Sequence, residues 1–128
     1  MGDHAAHLAA AAWACEMTAL EAAAEAMADR QILWASFDAL LEDMEAAMHR
    51  VAEFFGFDAS AARLGEIVRS PLMSRYSKSL DHPYSPALRR QLIDQELHLQ
   101  GVAIDDALGM LQRAAGQSPL LAGALARG

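Results

Sequence analysis

Five cations, Arg69, Arg75, Lys78, Arg89 and Arg90, fall in a stretch whose one carboxylate is Asp81, and Lys78 is the only lysine of the chain. Within that stretch Ser74, Arg75, Tyr76, Ser77, Lys78 and Ser79 alternate charged and hydroxyl side chains. Guanidinium and ammonium groups give charge-assisted hydrogen bonds and hydroxyls give neutral ones, so the pattern suits the oxygens of a bound phosphate or sulfate. It equally suits a solvated loop whose cations pair with acidic helices elsewhere, and spacing alone leaves both readings open.

The remaining reactive residues read as structure. His4 and His7 are one helical turn apart, as two metal ligands would be, but no third ligand follows at a supporting spacing. His49, His82 and His98 are dispersed. Cys15, the only cysteine, has no partner for an intramolecular disulfide and no evident base beside it, and its alanine-rich surroundings predict a buried thiol in a reducing compartment. Glu42, Asp43 and Glu45 suit the first turn of a helix, where the macrodipole favours negative charge. Met44, Met48, Phe54 and Phe55 recur at helical spacing and read as core. No catalytic and no metal-binding residue is assigned.

These residues must be positioned by helices. Alanine dominates from 3 to 29 and predicts a long helix, since it loses no side-chain entropy there. Trp13, Met17, Leu20, Ala24 and Met27 would line a face that needs a partner, with Glu16, Glu21 and Glu25 toward water. The apolar run over 31–37 reads as a short buried strand, with a helical extension as the competing reading. No second strand is evident to satisfy its backbone, so the partner would be another segment or chain. A helix over 38–55, carried by Leu41, Met44, Met48, Val51 and Phe55, ends at Gly56 in a left-handed cap. A shorter helix follows over 59–68, with Asp58 or Ser60 to cap it, and Ser70 and Pro71 stop it. Residues 70–85 lack periodicity and read as a long loop. Ser85 and Pro86 open a last helix over 86–114, in which Gly101 and Gly109 weaken continuity, and the residues beyond Gly116 are expected to fray. The expected fold is mainly α, four or so helices with at most one short strand, in one domain over 1–128 without internal repeats.

A formal net charge of −7 excludes a global attraction to nucleic acid or to an anionic membrane, so any anion site must be local. No leader is evident, and no run of about eighteen apolar residues could span a bilayer. The reading is a cytoplasmic chain.

Residues 32 to 58, ILWASFDALLEDMEAAMHRVAEFFGFD, resemble the strand, acidic turn, helix and Phe-Leu-Gly ending of PAPS-dependent sulfotransferases. Residues 71 to 94, PLMSRYSKSLDHPYSPALRRQLID, resemble the C-terminal cofactor-loop region of bacterial sulfotransferase-like proteins. The resemblance implies the C-terminal portion of a P-loop-like α/β fold. It implies PAPS or PAP as cofactor, with Arg75, Ser77 and Lys78 at the 3'-phosphate, Tyr76 beside the loop, and Arg89 and Arg90 as further contacts. The family's glycine-rich phosphosulfate loop and its catalytic base have no counterpart here, so the resemblance implies a region inactive alone and completed by a missing N-terminal half.

A physically different reading is an independent helical interaction module without catalytic activity, for instance a homodimer, that uses the alanine-rich first helix or the strand edge to bury surface against a partner. A third is a relative that keeps the fold segment and no ligand.

Overall fold

Alanine propensity produces the first element as expected: in a computed structural model that describes residues 2–27, 32–76 and 79–127, helix α1 spans Gly2–Ala26. There follow α2 (Phe37–Glu42), α3 (Met44–Phe55), α4 (Ala61–Val68), a 3-10 turn (Pro71–Ser74), strands β1 (Arg75–Tyr76) and β2 (Ser79–Pro83), α5 (Pro86–Ala115) and α6 (Pro119–Arg127). The chain is mainly α. None of the described helices is long and apolar enough to cross a membrane.

Where the sequence suggests one domain, the chain resolves into two compact units. Unit 1 takes residues up to Ile32 and from Asp94 onward, and unit 2 takes Leu33–Ile93. In unit 1, α1 packs on α6. Its buried apolar residues are Ala103, Ala107 and Leu111 of α5 with Leu121 and Ala124 of α6. The face of α1 that turns inward keeps part of the expected stripe, Trp13, Met17 and Ala24 being half-buried on it. Leu20 and Met27 are exposed and Glu21, expected in water, is 8% exposed. The α6 helix itself replaces the expected frayed tail: Ser118 accepts a hydrogen bond from the Leu121 amide at 3.2 Å and Pro119 supplies the first turn.

Unit 2 is built on caps. Ser36 caps α2 and Ser60 caps α4, each accepting an amide hydrogen bond three residues on. Asp43 divides the helix expected over 38–55. With φ −141° and ψ 80° it ends α2, and its carboxylate accepts the Ala46 amide at 3.0 Å to start α3. Gly56 closes α3 in the left-handed conformation at φ 71°, as its position predicts. Ala47 and Ala52 of α3 and Leu64 and Gly65 of α4 are buried.

Residues 32–36 carry no strand, and Phe37 already belongs to α2. The β structure lies instead inside the segment expected as a loop over 70–85. There β1 and β2 pair antiparallel, Arg75 opposite Pro83 and Tyr76 opposite Ser79, with an irregular register between them. The Tyr84 amide donates to the Ser74 carbonyl at 2.8 Å and closes the base of the hairpin. Ser85 caps α5 through the Leu88 amide at 3.0 Å, as expected. The α5 helix breaks at Gln100 (φ −125°, ψ 17°), one residue before Gly101.

Candidate functional site

The cationic residues singled out by sequence differ in their surroundings. Arg75 is exposed at the start of β1. The Tyr76 backbone belongs to β1, while Ser77 and Lys78 lie outside the described residues. Arg90 is exposed on α5. Arg89 is committed within unit 2: its guanidinium is paired with the Asp38 carboxylate and stands 5.1 Å from the centre of the Phe37 ring. A guanidinium held by a carboxylate and an aromatic face is a structural brace between the starts of α2 and α5, poorly disposed to take a phosphate.

The groove in unit 2 has the opposite sign. Asp43, Glu45 and His49 line it over a floor of Ala46, Ala61 and Leu64. Two carboxylates repel an anionic ligand, and Asp43 is already occupied in capping α3. Among the described residues no group of three His, Cys, Asp or Glu is placed to hold a metal ion. Cys15, expected to be buried, is exposed on α1.

What distinguishes the chain is where its apolar residues lie. Among the described residues the buried apolar side chains are five alanines and three leucines, and no large side chain is fully buried. Among the described residues eighteen large hydrophobic side chains are exposed, led by Val102 at 86% and Leu99 at 75%. Phe55, the last residue of α3, and Phe57 just beyond it stand exposed, their rings stacked with centroids 5.9 Å apart.

A second feature that sequence reasoning passed over is an ion pair inside unit 1. Arg127 donates from Nε to Glu21 Oε1, and from Nη2 to Oε2 at 3.3 Å. Beside it a Cβ placed on Gly123 would stand 3.6 Å from Glu21 Oε2, an ordinary contact distance, so the carboxylate lies close against α6. The hydrogen bond to Glu21 raises the pKa of Arg127 above its already high ordinary value, so the guanidinium is charged wherever the chain folds. The signal was present in the sequence as a glutamate every four or five residues on an alanine helix, but nothing in the spacing tells which of the three turns inward. A second link in unit 1 joins His7 Nε2 to Asp106 at 3.1 Å.

Compared with known proteins, the chain matches no family model, no curated protein and no solved structure.

Proposed function

We propose that this chain is a helical interaction module that self-associates and has no catalytic chemistry of its own. The observation that carries the reading is the distribution of apolar residues: among the described residues five alanines and three leucines are buried, against eighteen large hydrophobic side chains at the surface. Monomeric domains do the reverse, because a buried leucine is worth about 1.5–3 kcal/mol over an exposed one and a buried alanine far less. A second copy presents the same exposed apolar residues on both sides, as two-fold symmetry requires.

The test is the mass in solution. Sedimentation equilibrium from low to high micromolar concentration is expected to give twice the 13.8 kDa of the chain. A monomer throughout that range overturns the reading.

A second reading, in which the hairpin cations hold the 3'-phosphate of a PAPS-like nucleotide, draws support from Arg75 and Arg90, both exposed and outside the three ion pairs among the described residues. Calorimetric titration with adenosine 3',5'-bisphosphate separates the two. Saturable binding that Arg75→Ala with Lys78→Ala abolishes favours the nucleotide, and no heat from folded wild type counts against it.

A further inference from the structure

Helix α5 runs without interruption from Pro86 to Leu99, ahead of its break at Gln100. At about 100° per residue, Leu88, Arg89, Leu92, Ile93, Glu96 and Leu97 share one side of it, within an arc of about 180°. Gln91, Asp94, Gln95 and His98 take the other side. A stripe of this width on a helix normally faces a core. Here Leu88 and Arg89 are half-buried at one end, and every residue from 91 to 99 is exposed, Leu92, Ile93 and Leu97 among them. The stripe is open to a partner.

The order of residues along it says which partner. From one end it reads leucine, arginine, leucine, isoleucine, glutamate, leucine at 88, 89, 92, 93, 96 and 97. From the other end the apolar positions recur in the same places, with cation and carboxylate interchanged. Two copies of α5 laid antiparallel about a two-fold axis between 92 and 93 therefore set Leu88 against Leu97, Arg89 against Glu96 and Leu92 against Ile93, each pair twice. A parallel pair sets Arg89 on Arg89 and Glu96 on Glu96, like charge against like. Both charged groups are prepared for the antiparallel case. Asp38 and the Phe37 ring fix the Arg89 guanidinium, which has five N–H donors, and its side chain is still 29% exposed. Glu96 accepts from the Gln100 amide at 2.7 Å through Oε2, and its carboxylate has a second oxygen to offer.

We propose that the interface of the self-associated chain is this stripe of α5 packed antiparallel on the same stripe of a second copy, which rests on the self-association reading above. Leucine and isoleucine flank each ion pair, so apolar burial holds the two copies together and the charges set their direction.

Ile93→Glu tests this. The position is exposed, so the substitution spares the folded chain and places a carboxylate against Leu92 of the second copy. The dissociation constant of the dimer is expected to rise roughly 100-fold in sedimentation equilibrium, whereas Leu20→Glu, at an exposed apolar position on α1, leaves it unchanged. A wild-type dimer that Ile93→Glu leaves intact overturns the assignment to α5 and leaves self-association standing. A monomeric wild type overturns both. Direction is read in a Cys15→Ala background by mixing Leu88→Cys with Leu97→Cys chains under mild oxidation. A disulfide-linked mixed dimer, formed by neither variant alone, is the expected product. Leu97→Cys linking to itself, or a dimer that gives no mixed link, overturns the antiparallel pairing. This cross-link reports on the same stripe whether or not Ile93→Glu folds.

Discussion

Glu21 shows how much one side chain decides on an alanine-rich helix. A carboxylate that is 8% exposed is costly to desolvate and is retained only because Arg127 meets it. Glu21→Ala is expected to lower the melting temperature by on the order of 5 °C, since it removes the pair with Arg127 and packing under α6. Glu21→Leu combined with Arg127→Leu is expected to recover the wild-type value or exceed it, because an apolar pair needs no desolvation. Thermal denaturation followed by circular dichroism checks both. Cys15 makes the contrasting case. It is exposed, so a thiol reagent is expected to modify it fully without denaturant, and protection of the thiol would contradict its placement. Its alanine neighbours suggested burial, but alanine is equally at home on both faces of a helix, so composition carries no facing information there.

At the scale of elements, side chains that satisfy their own neighbouring amides were the legible part. Ser60, Ser85 and Gly56 each sit at a helix end for reasons local in sequence, and each is found there. Asp43 shows the limit: apolar spacing through Leu41, Met44 and Met48 hides a break that the aspartate enforces by caging the Ala46 amide. Asp43→Ala is expected to cost about 1 kcal/mol in urea denaturation by removing that cap. Gly56→Ala is expected to cost about 1 kcal/mol as well. No atom lies within 4 Å of the added Cβ, so the whole cost is conformational, arising from φ 71°. Ser118 and Pro119 repeat the Ser85 and Pro86 signal and did mark a helix start, so α6 was readable. Residues 32–36 were not, because β-branched and aromatic residues describe a wish to be covered, and a strand is only one way of being covered. The pairing of Arg89 was not readable either. The Asp38 and Phe37 that hold Arg89 lie about fifty positions away in sequence, beyond any periodic argument.

For the whole molecule, the sign of the salt response separates the ways in which two copies could hold together. Each chain carries a formal net charge of −7, so two copies repel at long range, and added salt weakens that repulsion because the Debye length falls from about 30 Å at 0.01 M to about 3 Å at 1 M. Apolar association is not weakened by screening, and salting-out anions such as sulfate strengthen it. An interface built on the exposed leucine, valine and phenylalanine residues is therefore expected to tighten as sodium sulfate is raised, with the dimer fraction at fixed concentration increasing in sedimentation equilibrium. Pairing through surface charges predicts the opposite slope, because exposed ion pairs are the interactions that salt screens first. The Glu21 pair does not blur the distinction, since its carboxylate is buried against α6 and largely shielded from solvent ions. A dimer that dissociates on adding salt would move the interface from the apolar surface to the charged one, and with it the residues at which mutation should break the pair.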